Sequence, residues 1–229
     1  GTLDAALAAK MVSPQLLEQS VVFVFDFGLV KWIGGCVFLP TVDGEPRVVQ
    51  PYTVRGGEYH HHVGLNRQAN DVKADPKHRR ALECGKQRFF YKVLADMREL
   101  ADKATPNQDF IVLVGDSGVS SGRGHRRPAT VEFTKFLEQF VLVVRVPEHN
   151  TSKLCPRCHY ETKFLNARRE IRTKHCAGSC ENSNKRNMSF IYDRDTGASV
   201  NMFHIFASMV EGRGRPQAFE PKGRPKRPV

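Results

Sequence analysis

A chain of 229 residues with 35 Lys and Arg against 24 Asp and Glu carries a formal charge of +11 and a pI near 9.6. That excess favours a polyanionic partner, nucleic acid first, and the length suffices for one well-buried domain with a small appendage. It argues against a membrane protein, because no apolar run nears the roughly 18 residues of a spanning helix; no basic amphipathic segment or lipidation motif is present, and even VVFVFDFGLV is interrupted by Asp26.

The chain opens on Gly rather than Met, so it is expected to be a fragment or a processed product, with regions upstream missing. LDAALAAKMVSPQLLEQS reads as short helical pieces broken at Ser13-Pro14, which makes residues 1–19 an N-terminal helical segment. VVFVFDFG follows, an apolar run suited to a strand buried on both faces and ending in an acid. WIGGCVFLP and, after the turn signal Asp43-Gly44, PRVVQPYTV complete an antiparallel meander. From Pro76 to about Ala104, Leu82, Phe89, Phe90, Val93, Leu94, Met97 and Leu100 recur at helical spacing. DFIVLVGDSG is a buried strand, VEFTKFLEQF a helix and VLVVRV a further strand. After a cysteine-rich segment, MSFIY is a candidate strand, and Ala198, Met202, Ile205, Phe206 and Met209 mark a closing helix. From Glu211 the chain is rich in Gly, Pro and Arg and is expected to be disordered when alone. Three strands, helix, strand, helix, strand is the order of an RNase H-like mixed α/β sheet flanked by helices. That domain would be discontinuous, 20–151 and 188–210, with the cysteine segment 152–187 inserted and 211–229 as a basic tail.

Four acids fall at the ends of these elements. Asp26 ends the first strand, Asp116 the fourth and Glu148 the fifth, and Asp195 precedes the last helix. Hydrolysis of a phosphodiester by two divalent cations calls for such a carboxylate cluster, since hard cations prefer oxygen ligands. Acids at strand ends are also ordinary turn formers, and Asp195 has the position of a helix cap. Asp26 is harder to explain that way, because a carboxylate inside VFVFDFGLV is costly to bury without a metal or a partner.

Six cysteines do not suit a disulfide scaffold: four cluster within 26 residues, whereas Cys36 and Cys84 stand apart. Cys155 and Cys158 form one knuckle, Cys176 and Cys180 a second, separated by 17 residues. Two short knuckles fit tetrahedral zinc, with His175 or His159 as possible substitutes for one cysteine and a redox Cys-x-x-Cys as the weaker alternative. A four-ligand site is closed, so its zinc would be structural. Lys153, Arg157, Lys163, Arg168, Arg169, Arg172 and Lys174 crowd this segment, suiting either phosphate contact or a solvated surface. His60-His61-His62 is not expected to bind metal, because consecutive side chains point apart.

GDSGVSSGRGH, VPEHNTSKLCPRC, DRDTGASVNM and GRGRPQAF, in that order, resemble segments of the RuvC-like nuclease domain of the Fanzor family, eukaryotic relatives of TnpB. Thr-Ser-Lys before the first knuckle, combined with Arg-Asp-x-x-Ala-x-x-Asn after the second, is the most specific part, and the resemblance runs from about residue 20 to 220. The family comprises transposon-associated, RNA-guided DNA endonucleases that are also similar to type V CRISPR effectors. The resemblance implies a two-metal site using Mg²⁺ or Mn²⁺, with Asp26 as its first carboxylate and Asp195 as its third. For the second it implies Glu148, an alternative to the fourth-strand position occupied here by Gly115-Asp116, leaving Asp116 as an outer support or a turn former. Gly197 and Ser199 depart from the family's Arg-Asp-x-Asn-Ala-Ala. The family's guide-binding regions, ahead of this domain, have almost no counterpart in the chain.

DNA is therefore the expected partner of a monomeric, nuclear protein, together with a guide RNA if the full-length protein carries guide-binding regions. Lys153, Arg157, Arg168, Arg169, Arg172, Arg194, Arg213 and Arg215 are the expected nucleic-acid contacts. RGRP at 213–216 and KGRPKRP at 222–228 carry Gly-Arg-Pro cores that resemble AT-hooks and equally fit a nuclear-import signal or a solvated tail. The alternative function is that of a domesticated relative binding nucleic acid without cutting it.

Overall fold

A computed structural model of the chain describes residues 3–27, 31–41, 47–63, 76–116, 129–165, 172–176, 180 and 191–221. Two short helices come first, α1 (Ala5–Met11) and α2 (Pro14–Gln19). They break where the sequence indicates: Ser13 caps α2, its Oγ accepting from the Leu16 N–H at 3.1 Å, and Pro14 takes a first-turn position that needs no N–H partner. Ahead of α1, the two-residue strand β1 (Leu3–Asp4) was not apparent in the sequence, since two residues carry no periodicity.

The meander is β2 (Val22–Phe27), β3 (Lys31–Phe38) and β4 (Val49–Arg55), antiparallel throughout. Next come α3 (Gly56–Val63), α4 (Pro76–Ala104), β5 (Ile111–Gly115), α5 (Thr130–Leu137) and β6 (Leu142–Val146). β5 pairs in parallel with β2, and β6 with β5, giving the order β1-β6-β5-β2-β3-β4. A three-strand meander with two parallel strands added beside its first member is the RNase H-like arrangement that the element order predicts.

β2 reads as one continuous apolar run because it is covered on both sides. Phe23 and Phe25 enter a core with α4 and α5, while Val22 and Val24 enter another with α1, α2 and the last helix, α6 (Arg194–Val210). Trp32 centres the first core, stacked between Tyr59 and Phe90 at centroid distances of 4.9 and 5.9 Å, with Phe133 tilted against it at 4.9 Å. Such ring pairs add about 0.5–1.5 kcal/mol each beyond their burial.

A second sheet holds β7 (Thr162–Phe164), β8 (Thr173–Cys176) and β9 (Ile191–Asp193). β9 is the end of the MSFIY candidate, of which residues 188–190 lie outside the described residues. It pairs with the ribbon strand β8, His175 opposite Ile191 and Thr173 opposite Asp193. On the large sheet, the edge beside β6 is already taken by β1.

The expected disorder from Glu211 is corrected for residues 211–221. Arg213 N–H donates to the Ser208 carbonyl at 2.9 Å, Ser208 Oγ donates to the Gly214 carbonyl at 2.8 Å, and a 3-10 turn, Gln217–Phe219, ends in a fully buried Phe219. That one phenylalanine, in the core shared by α1, α2 and α6 and edge-on to the His159 ring, supplies the apolar anchor that the Gly-Pro-Arg composition concealed. Residues 222–229, including the second Gly-Arg-Pro core, lie outside the described residues.

Candidate functional site

Strand periodicity explains where the acids lie. Side chains alternate across a strand, so on β2 the series facing α6 runs Val22, Val24 and then Asp26. On β5 it runs Ile111, Leu113 and Gly115; past the end of β6 it runs Val144, Val146 and Glu148; on β3, read backwards, it runs Phe38, Cys36 and Gly34. The apolar layer beneath α6 thus gives way at one end to Glu148 and Asp26, with Gly115 between them and Gly34 on the far side of Asp26.

Each glycine makes room for an acid. A Cβ built on Gly115 would fall 1.2 Å from Glu148 Oε1 and 2.1 Å from its Cδ, so the Glu148 carboxylate occupies the side-chain position of Gly115. Gly115 follows Val114, the partner of Phe25, and therefore stands beside Asp26. Gly34, opposite Asp26 across the β2–β3 ladder, lies under Asp195: a Cβ there would be 3.0 Å from Asp195 Cβ and 3.1 Å from its Oδ2. Burial first and the Asp195 charge second raise the Asp26 carboxyl to about 6, with Arg194 and Arg172 opposing.

Asp195 is not the helix cap. Asp193 takes that role, its Oδ1 accepting from the N–H groups of Asp195 and Thr196 at 3.0 and 3.2 Å. Asp195 lies buried in the first turn, its Oδ1 bonded to Arg172 Nη2. Asp116 belongs to the opposite series on β5, and its Oδ1 accepts the Glu148 N–H at 3.1 Å. The Glu148 carbonyl in turn accepts from Thr151, from N at 3.1 Å and from Oγ1 at 2.8 Å. Asn201 of α6 then donates to the carbonyls of Thr151 and Leu154 at 2.7 and 2.9 Å. Thr151 and Asn201, which the sequence offered only as motif letters, are the clamp between the Glu148 loop and the Asp195 helix. Gly34 and Gly115 carried no chemical signal, although the period-two series that leads to each is readable.

Gly197 is explained as well. A Cβ there would lie 2.3 Å from the Tyr192 ring, so the glycine admits an aromatic lid on the first turn of α6.

The cysteines converge: Cys155, Cys158, Cys176 and Cys180 have their sulfurs all within 4.8 Å of one another, with Cys158–Cys176 at 3.4 Å and Cys155–Cys180 at 3.9 Å. The spacing and softness of four thiolates fit tetrahedral zinc with no histidine required. The Cys180 thiol is pushed up to about 12, first by its hydrogen bond with Cys158 and then by burial. Among the described residues it is the one set of three or more His, Cys, Asp or Glu side chains drawn so close; the three carboxylates stand wider. The histidine triple lies on α3, with the side chains of His60 and His62 outside the described residues.

The basic residues divide. Lys153, Arg157 and Lys163 are exposed and Arg194 is half-buried, whereas Arg168 and Arg169 lie outside the described residues. Lys174 turns inward, donating to the Ser152 carbonyl at 2.5 Å and to Thr162 Oγ1 at 3.1 Å beneath the Phe164 ring. Arg213 pairs with Glu211, and Arg215 is half-buried with Nε and Nη2 enclosed, so the first Gly-Arg-Pro core is folded onto the protein and not extended for a DNA groove.

No protein-family model matches the chain, and no curated protein does. Its fold is similar to that of solved structures of CasPhi-2 (Cas12j). One, bound to crRNA, superimposes with a TM-score of 0.55 at 11% identity, covering 91% of this chain and 51% of that one. Another, bound to crRNA and phosphorothioate-DNA, gives 0.55 at 12% identity, covering 95% and 49%. The chain thus spans about half the length of the chains it matches. No helix among the described residues is long and apolar enough to cross a membrane.

Proposed function

We propose that the chain is the RuvC-like nuclease domain of an RNA-guided DNA endonuclease of the Fanzor and TnpB kind, with Asp26, Glu148 and Asp195 as the ligands of two Mg²⁺ or Mn²⁺ ions. The observation that carries this is the Glu148 carboxylate lying in the side-chain space of Gly115, beside Asp26. An acid displaced onto the neighbouring strand thereby reaches the place an acid on β5 would occupy. The oxygen donors suit hard divalent cations, and the raised Asp26 carboxyl is what a buried acid site shows before its cation neutralises it. When bound, the ions supply a hydroxide nucleophile and charge relief at the leaving oxygen. The residues do the rest: Asp116 and Thr151 fix the Glu148 backbone, Asp193 frees Asp195 from capping, and Gly34 lets Asp195 approach β3.

The four cysteines hold a structural zinc, and the exposed Lys153, Arg157 and Lys163 of the ribbon meet phosphates of the DNA. The crRNA and DNA bound in the CasPhi-2 structures support nucleic acid as this chain's partner and a guide RNA for the full-length protein. The basic tail serves nuclear import. Divalent-ion-dependent cleavage of labelled single-stranded DNA is the test, and activity that survives Asp195→Ala defeats the assignment. A second reading, nucleic-acid binding without cleavage, draws on the wider spacing of the carboxylates and on the Arg172 pair with Asp195. Salt-dependent DNA binding with no Mn²⁺ uptake at millimolar concentration would favour it.

A further inference from the structure

We propose that Arg172 is a positioning residue of the acid site, reaching from the zinc ribbon to hold Asp195 by Oδ1 so that Oδ2 stays over Gly34, beside Asp26. This rests on the metal-site reading above. The sequence places Arg172 among phosphate-contacting residues, but its side chain is only 25% exposed and turns inward to Asp195, itself 3% exposed. Its Nε is enclosed with no hydrogen-bond partner among the described residues, so that edge of the guanidinium is withdrawn from solvent while Nη2 meets Asp195.

The arginine is planted at both ends. Its carbonyl accepts the Arg194 N–H at 2.8 Å, beside the acid it holds. The next residue, Thr173, opens β8 and pairs with Asp193, the helix cap, and three residues further on Cys176 joins the thiolate cluster. Cys176, β8 and Arg172 therefore form one continuous stretch that runs from the thiolate cluster to Asp195. The two carboxylate oxygens have separate tasks: Oδ1 meets Arg172, and Oδ2 is the atom 3.1 Å from a Cβ built on Gly34, on the side of Asp26. A guanidinium suits the task, since it is permanently charged and offers a planar fork that fixes the rotation of a carboxylate, which a lysine does not.

The sign of the effect on metal binding separates positioning from simple charge. Deleting a cation beside a metal site tightens metal binding through electrostatics alone, whereas losing an outer support of a ligand weakens it, typically 10–100-fold. Mn²⁺ is titrated into the zinc-loaded full chain and free Mn²⁺ is followed by electron paramagnetic resonance, for wild type and Arg172→Met, with retained zinc and circular dichroism as folding controls. At least about tenfold weaker Mn²⁺ binding in the variant is expected. Equal or tighter Mn²⁺ binding, with or without lost DNA affinity, overturns the inference while the metal site stands. A wild-type chain that takes up no Mn²⁺ overturns both together. Should Arg172→Met fail to fold, Arg172→Gln, polar but too short to reach Asp195, takes its place: at least about tenfold weaker Mn²⁺ binding supports the inference, and equal or tighter binding overturns it.

Discussion

Gly115→Ala adds a single methyl to the molecule and separates the catalytic reading from a merely structural one. The new Cβ would stand 1.2 Å from Glu148 Oε1, 2.1 Å from Cδ and 2.6 Å from Cγ. Ordinary contact begins at 3.4 Å, so Oε1 must retreat by at least 2.2 Å, the difference between 3.4 and 1.2 Å. The backbone of Glu148 cannot follow, because Asp116 holds its N–H at 3.1 Å and Thr151 Oγ1 its carbonyl at 2.8 Å. Relief therefore falls on the carboxylate, which swings away from Asp26. A misplacement of about 1 Å in a catalytic group costs on the order of 100-fold in rate, so cleavage should fall by at least about that factor. Stability should not fall, since the displaced group is the mobile end of a side chain and Gly→Ala within a strand gains about 0.4–1 kcal/mol from the unfolded state. The assay pairs Mg²⁺-dependent cleavage of labelled single-stranded DNA with a thermal melt. A variant that melts like wild type and cuts at the wild-type rate would refute the placement of Glu148 in the site.

Asp116→Ala should slow cleavage about tenfold by freeing the Glu148 backbone, a loss of roughly 1.4 kcal/mol, whereas Glu148→Gln should abolish it; single-turnover rates of the two variants check the contrast. The raised Asp26 carboxyl fixes the sign of a pH effect. An acid whose folded-state pKa is about 6 against 3.8 contributes stability fully below 3.8, and that contribution is lost as the pH rises through about 6. Asp26→Asn escapes the loss, so in buffer free of Mg²⁺ and Mn²⁺ urea titrations should show wild type declining relative to the variant by about 2 kcal/mol between about pH 4.5 and 7.5. Stripping zinc, or Cys176→Ser, should melt β7–β9 while β2, β5 and β6 stay folded, seen as hydrogen-exchange protection lost in the ribbon and the first turn of α6 but kept in the large sheet. Metal analysis should find one zinc per wild-type chain.

The core elements were legible because their periodicity is strong: α4 appears at its expected bounds, and the VVFVFDFG run forms the doubly covered central strand β2. The cysteine cluster was legible from spacing alone. β1 was not, because its pairing with β6 depends on the partner strand and not on its own two residues. The order of residues 211–221 was hidden because it depends on Phe219 joining the apolar core that α1, α2 and α6 share, a tertiary fact. At the site, the acids could be placed at element ends, but Asp193 and Asp195 compete for one cap, and which takes it is decided by backbone geometry two residues apart. The inward turn of Arg172 and Lys174 was equally hidden, since a basic run reads the same in sequence whether its side chains meet phosphate, water or an internal acid.

Asp193 closes the ribbon sheet opposite Thr173 and, through its side chain, caps α6. No residue separates β9 from α6: the strand that closes the ribbon sheet runs directly into the helix. Modularity suffers accordingly. Replacing 152–187 by a short peptide, or transplanting a ribbon from elsewhere, would remove the strand that orients the cap and let the leading turn of α6 fray with its acid. A workable graft would have to span Glu148 to Asn201 as one piece.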